Sequence, residues 1–314
     1  MQTNDQRQLI NNIKDGLKKN QGEKPNTVLV LGGYGFIGRY TVAALNKAGI
    51  NTVIGTRGLD AKKNERHVRL HKSLTEESWT NTLKDIDSVI NTVGILRERK
   101  GESFDAVHNL ALGALARACK QHNIPLIHVS ALGIDAPLNN EFAASKLRGE
   151  SAMQNSACPG AIVRASVVNA PDGYGSGWLH TVAKWPIWLL PSGATKLLCP
   201  IEAKDLGQAL AMLCIKAIND PNKIKGCEKA QIIEVGCNEV FTLKTYLHKL
   251  RTISDCRLKK PLLTVRIPRV VARAFSHIFD VLNLTPYSIG HHELLEHDNI
   301  PKKIALQKFL VVNH

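Results

Sequence analysis

The chain has 314 residues, 44% of them hydrophobic, with 41 Lys and Arg against 27 Asp and Glu and a formal net charge of +14. That length buries a full core and exceeds one typical domain only modestly, so a nucleotide-sized domain with a smaller C-terminal portion is the natural division. No apolar run reaches a membrane span: the longest, Trp178 to Pro191, is broken by His180, Lys184 and Pro186.

Residues 1–25 are polar and charged and lack the apolar core of a secretory signal. They read as a short amphipathic helix or a loose arm ahead of the fold, and Leu9, Ile10, Ile13 and Leu17 at helical spacing favour a docked helix. Thr27 to Leu31 then reads as a buried strand, followed by Gly32, Gly33, Gly35 and Gly38 and an apolar helix over Phe36–Ala48. A strand, a tight glycine turn and a helix N-terminus aim free backbone N–H groups and the positive end of a helix dipole at a pyrophosphate. Glycines are needed because a Cβ would hold the phosphate away. A glycine turn in some other βαβ unit is the plainer alternative. The second strand, Asn51–Ile54, supplies the context a dinucleotide site requires.

Further strands are expected at His67–His71, Asp87–Asn91, Pro125–Ser130 and Ala161–Arg164, with helices at Glu76–Lys84 and Phe104–His122 between them. This alternation predicts an α/β fold, a doubly wound parallel sheet of the Rossmann kind over residues 26–170, with ligands at the carboxyl edge of its strands. Residues 171–314 form the smaller portion, interleaved with that core and facing substrate or partner. It contains a helix Ala203–Ala217, a strand Gln231–Val235 and helices Leu243–Thr252, Pro268–Leu282 and Ser288–His297. Val270, Val271, Ala274, Phe275, Ile278 and Phe279 give Pro268–Leu282 an apolar face to pack on that portion or on a partner.

The charge is compatible with nucleic acid, an anionic membrane face or small anionic ligands, and does not choose among them. Arg251, Arg257, Lys259, Lys260, Arg266, Arg269 and Arg273 crowd together against Asp255 alone. Aromatic residues do not interleave with these bases, so no nucleic-acid surface is expected; a solvated basic face is the alternative. Seven cysteines without a Cys-x-x-Cys pair fit a reducing compartment. The expectation is a cytoplasmic protein with free, mostly buried thiols, peripheral contact at the inner face of a membrane being left open.

At the end of the second strand, where an NAD site usually carries an Asp or Glu for the ribose 2′-hydroxyl, stands Arg57. An always charged planar fork with no carboxylate beside it favours the 2′-phosphate of NADP(H) over NAD(H). Arg57 as a solvent arginine, or Arg66 or Lys62 in its place, are the alternatives. His291 and His292 are adjacent and so point apart on a helix, and no ligand spacing calls for a metal. No Gly-x-Ser-x-Gly elbow is present.

The glycine spacing, with Asn91-Thr92-Val93-Gly94-Ile95-Leu96, Phe104-Asp105-Ala106-Val107-His108, His128-Val129-Ser130-Ala131-Leu132-Gly133, Ser145-Lys146-Leu147-Arg148-Gly149-Glu150 and Ile162-Val163-Arg164, resembles the atypical and extended short-chain dehydrogenase/reductases. The branch most resembled contains the nucleotide-binding accessory subunit of respiratory complex I and its bacterial relatives. The likeness covers residues 26–250, with a weaker echo in Leu294-Leu295-Glu296-His297-Asp298-Asn299.

The resemblance implies that Gly32, Gly35, Phe36, Ile37 and Gly38 hold the pyrophosphate and that Arg57 holds the 2′-phosphate. It puts Val93 and Gly94 at the nicotinamide-side ribose, and Ser130 and Lys146 at the nicotinamide end with Arg164 beside it. The superfamily's third strand usually ends in an Asp that touches the adenine, where this chain has His71-Lys72-Ser73. Its hydride-transferring members use Tyr-x-x-x-Lys, in which the phenol moves the proton. Here the segment is Phe142-Ala143-Ala144-Ser145-Lys146: the lysine is kept and the proton-bearing ring is gone. The second usual hydroxyl falls near Ala131 or Leu132, leaving Ser130 alone. Asn109 lies where relatives place a supporting Asn, and His108 is a catalytic candidate set against a structural helix-face histidine.

Trp178, Trp185 and Trp188 follow the sixth strand, where this superfamily builds its substrate lid. They could line an apolar pocket for an isoprenoid or quinone-like ligand, rest on a membrane, or be ordinary core. Three readings follow. The leading one is an NADP(H)-binding protein without the catalytic Tyr, structural, regulatory or assembly-linked near respiratory or quinone machinery. The others are a working reductase or isomerase on an apolar substrate with another proton donor, and a peripheral interaction module with a vestigial nucleotide site.

Overall fold

The computed structural model describes residues 26–58, 64–191, 194–219, 230–254, 263–282 and 293–302. The expected arm over residues 1–25, with Lys62, Arg257, Lys259, Lys260, His291 and His292, lies outside the described residues, as does most of the expected helix Ser288–His297.

Seven strands form one parallel sheet: β1 (Thr27–Leu31), β2 (Asn51–Thr56), β3 (Glu65–His67), β4 (Ser88–Asn91), β5 (Leu126–Ala131), β6 (Gly160–Ala165) and β11 (Gln231–Val235). Their order is β11-β6-β5-β4-β1-β2-β3. Every residue of β1 is buried, because both faces of the sheet are covered. Val28 and Val30 pack on one side with Leu45, Leu206 and Leu210, which belong to helices α1 (Phe36–Lys47) and α5 (Ala203–Asn219). Leu29 and Leu31 pack on the other with Leu112, Leu115 and Met153, from α2 (Ala111–Gln121) and α3 (Glu141–Asn155). The order reverses between β1 and β4, and the crevice at that switch point is where such a sheet binds ligands.

Smaller elements complete the described chain. They are β7 (Val168–Asn169), α4 (Tyr174–Lys184), β8 (Ile187–Pro191), β9 (Leu197–Leu198), β10 (Ile201–Glu202), β12 (Phe241–Thr242), α6 (Leu243–Ser254), β13 (Leu263–Ile267) and α7 (Arg269–Leu282). A separate small core of Ala183, Trp188, Leu190, Tyr246, Leu247 and Leu250 holds α4, β8 and α6 together.

Three sequence expectations need correction. The strand expected at His67–His71 is Glu65–His67, and His71 and Lys72 fall in a single 3₁₀ turn after it. The helix expected at Glu76–Lys84 is one 3₁₀ turn, Glu77–Trp79. Its short polar side chains bond the local backbone, as Ser78 Oγ does to the Thr75 carbonyl at 2.5 Å, while Trp79 anchors the loop in the core. The helix expected at Phe104–His122 opens as a π-turn, Asp105–Leu110. On α7, Val270, Val271 and Phe275 are exposed while Ala272 and Ser276 are buried, so of the two expected partners for its apolar face the smaller portion does not cover these three.

The tryptophans divide. Trp188 is fully buried, whereas Trp185 is 41% exposed and meets Trp178 edge to face at 5.3 Å between ring centres. Beside Trp185, Ile187 and Leu189 on β8 pair in register with Leu263 and Val265 on β13, and all four are exposed. Arg251 belongs to the small core: its Nη1 donates to the carbonyls of Ala183 and Trp185 at 2.8 and 2.9 Å. No helix among the described residues is long and apolar enough to cross a membrane.

Candidate nucleotide site

The turn between β1 and α1 is built by close backbone approach. Gly32 has φ of +75°, a left-handed conformation that favours glycine, and its carbonyl accepts from Gly35 N–H at 2.8 Å. A Cβ on Gly38 would stand 2.0 Å from that same carbonyl oxygen, so no side chain fits there. Gly35 caps α1 with no side-chain bond, and no acid occupies the first turn, which leaves the amides of the helix start unclaimed by side chains.

These residues open onto a cleft of about 650 Å³ at the carboxyl edge of the sheet. Of the expected site residues, Gly32, Gly35, Phe36, Ile37, Arg57, Val93, Gly94, Ser130, Phe142 and Lys146 all line it. Gly33 and Gly38 do not: Gly33 packs on Ile54 of β2, and Gly38 on the turn itself. The Ser130 hydroxyl is buried without a hydrogen-bond partner, and the cleft is the open space beside it. A glycine cradle, unclaimed helix amides and an unpaired hydroxyl fit a bound dinucleotide.

At the inner end Lys146 is buried, with Nζ 5.6 Å from the centre of the Phe142 ring. Burial lowers its pKa to about 8, against the raising influence of Glu150. The His108 ring lies 5.7 Å from Phe142 and 5.5 Å from Phe104, centre to centre. Its hydrogen bonds form a committed chain: Ile95 N–H donates to Nε2 at 3.1 Å, Nδ1 donates to Ser145 Oγ at 3.0 Å, and Ser145 donates to the Phe142 carbonyl at 3.0 Å. Burial first, then the Lys146 and His128 charges, push His108 down to about 2, so it stays neutral and holds the loop after β4 in place. Asn109 Nδ2 donates to Asp105 at 3.0 Å, away from the cleft. The π-turn meets α3 so closely that a Cβ on Gly149 would stand 1.9 Å from the His108 carbonyl.

Two expected features change. Arg164 does not line the cleft. It lies on the sheet face opposite Val163 and Ala165, is buried, and pairs with Glu150 at 2.7 Å and Asp135 at 2.9 Å. Second, a carboxylate does stand beside Arg57: Glu102 Oε1 lies 3.6 Å from Nη1 and equally far from His71 Nδ1. Arg57 is 69% exposed at the mouth of the cleft, and Glu102 only 15%.

Glu293, just before the C-terminal echo, and Asn299 within it gain roles that the sequence did not show. Glu293 accepts from Asn139 N–H at 3.0 Å and from Asn140 Nδ2 at 2.7 Å, and Asn140 in turn caps the start of α3. Asn299 Nδ2 donates to the Leu132 carbonyl at 2.7 Å, and its side-chain oxygen accepts from the hydroxyl of Ser166, which lines the cleft. Segment 293–299 thus braces the helix that carries Phe142 and Lys146. Among the described residues no cluster suits a metal.

The model of the NAD dependent epimerase/dehydratase family matches residues 28–185, half of the chain, and the chain belongs to that family of nicotinamide-dinucleotide binders. It is 26% identical over 287 residues to NADH dehydrogenase (ubiquinone) 1 alpha subcomplex subunit 9 of Arabidopsis thaliana mitochondria, covering 86% of this chain and 68% of that subunit. It is 28% identical over 211 residues to the mitochondrial NADH-ubiquinone oxidoreductase 40 kDa subunit of Neurospora crassa, covering 62% of this chain and 55% of the relative. The fold is similar to that of UDP-N-acetylglucosamine 4-epimerase from Bacillus cereus, with a TM-score of 0.58 at 17% identity over 86% of this chain and 95% of that one. At that identity the likeness concerns the fold alone.

Proposed function

We propose that this protein is an NADP(H)-binding accessory component of a respiratory or quinone-linked assembly whose ancestral proton transfer has been lost. The observation that carries the reading is Phe142, which lines the dinucleotide cleft beside Lys146 where a proton-moving phenol would be needed. The names of the two mitochondrial relatives support the respiratory setting. A bound nicotinamide supplies hydride exchange, but no side chain at Phe142 can complete it with a proton.

In this reading the turn at Gly32, Gly33, Gly35 and Gly38 and the first amides of α1, at Phe36 and Ile37, receive the pyrophosphate. Val93 and Gly94 border the inner ribose, and Lys146 and Ser130 hold the nicotinamide end. Arg57 takes the 2′-phosphate, which must draw the guanidinium away from Glu102. Arg164, paired with Glu150 four residues beyond Lys146, stands beside the nicotinamide end without lining the cleft. Attachment falls to the exposed apolar pairs of β8 and β13 with Trp185, a face suited to a partner or a membrane surface. The cleft lining does not include the three tryptophans.

The test is to saturate the purified chain with NADPH and offer quinones and carbonyl compounds. Tight binding without oxidation supports the proposal. Steady turnover would overturn it in favour of a reductase with an unorthodox proton donor.

A further inference from the structure

Away from the cleft, two cysteines meet where the C-terminal segments join the edge of the sheet. β11 ends at Val235, and the chain passes Gly236 to Cys237, whose N–H donates to the Cys199 carbonyl at 3.3 Å. The two Sγ atoms are 3.9 Å apart. Gly236 makes this approach tolerable, since a Cβ there would stand 2.8 Å from the Cys199 oxygen and 2.9 Å from its sulfur. The backbone bond and the 3.9 Å between the sulfurs bring the two side chains together across neighbouring segments. The same segments are already paired through Leu198 and Phe241, so a covalent link between them would ask for little movement beyond the sulfurs.

The two thiols also differ in exposure, so that only one of them meets an external disulfide first. Cys237 is partly exposed and its S–H donates to the Glu239 carbonyl at 2.9 Å. Cys199 is buried, its thiol is pushed up to about 12 chiefly by that burial, and its S–H donates to the Cys237 carbonyl. Cys119, Cys158 and Cys214 are sealed in the main core.

We propose that Cys199 and Cys237 form a reversible thiol–disulfide site that takes low-molecular-weight disulfides as its oxidant. The Cys237 thiolate attacks one sulfur of glutathione disulfide, forming a mixed disulfide and releasing one glutathione thiolate. Cys199 gives up its proton to solvent and attacks the Cys237 sulfur, expelling the second glutathione. Two protein thiols are oxidised and one external disulfide is reduced. The product ties the segment leading into α5 to the end of β11.

The experiment exposes the reduced full-length chain to glutathione disulfide, measures its intact mass, and digests it with trypsin without reductant. The expected product is lighter than the reduced chain by two hydrogen atoms, with peptides 197–204 and 230–244 joined and released by dithiothreitol. C199S should instead keep a glutathione adduct on Cys237, and C237S should take up none at Cys199. A persistent glutathione adduct on Cys237 in the unaltered chain, or a link from Cys237 to Cys227 or Cys256, would overturn the proposal. So would thiols that stay reduced in the folded chain while the urea-unfolded chain oxidises.

Discussion

Replacing Arg57 and Glu102 separately tests the cofactor choice, because their effects on NADP(H) should have opposite signs. A charge-assisted hydrogen bond contributes about 1.5–3 kcal/mol, and the exposure of Arg57 argues for the lower end. R57A should therefore weaken NADP(H) about tenfold and leave NAD(H) within about twofold, since only the former carries the 2′-phosphate. Glu102 competes for the same guanidinium at 3.6 Å, and a carboxylate about 5 Å from a phosphate in water-like surroundings repels it by about 1 kcal/mol. E102Q should accordingly tighten NADP(H) about fivefold. Titration of NADPH and NADH by their own emission, at low salt and again near ~0.15 M where screening narrows the differences, measures all the constants. Equal losses for both cofactors in R57A, or weaker NADP(H) binding in E102Q, would refute the assignment of Arg57.

Three further outcomes are expected. G38A places a methyl group 2.0 Å from the Gly32 carbonyl, so it should abolish dinucleotide binding and lower stability by about 2–4 kcal/mol in a denaturant titration. Lys146 is lowered from 10.5 to about 8, so the unfolded chain holds more protons between those values. Stability of the free protein should rise with pH across that window, while dinucleotide affinity falls as the ammonium is lost; K146M should flatten both profiles in calorimetry. F142Y restores a phenol beside Lys146, and NADPH oxidation with a carbonyl or quinone acceptor should then rise above the unaltered chain, whereas an unchanged rate would mean that the pocket no longer admits a hydride acceptor.

What was legible in the sequence was what is local in it. The strand, turn and helix from Thr27 to Lys47 is one continuous stretch whose glycines declare a close backbone approach, and Phe142 and Lys146 are four apart on one helix. Glu102 escaped notice because it reaches Arg57 from a loop 45 positions away in the chain, from 57 to 102. Arg164 is the register partner of Ser130 and shares its face of the sheet; what the sequence does not show is that Glu150, four residues beyond Lys146, and Asp135 hold its side chain. The loop around Trp79 shows one buried aromatic outweighing helical spacing among Ser and Thr residues. Asn299 ends the segment whose likeness is faint and Glu293 precedes it, and only the folded chain brings them to Leu132 and to the start of α3.

The central claim is that the glycine turn and Arg57 make an NADP(H) cradle. Purifying the protein without added nucleotide, denaturing it and identifying the released small molecules tests this most directly. The account predicts NADP⁺ or NADPH approaching one per chain. NAD alone would contradict the role given to Arg57, and a chain that neither carries nor takes up any dinucleotide would contradict the cradle itself.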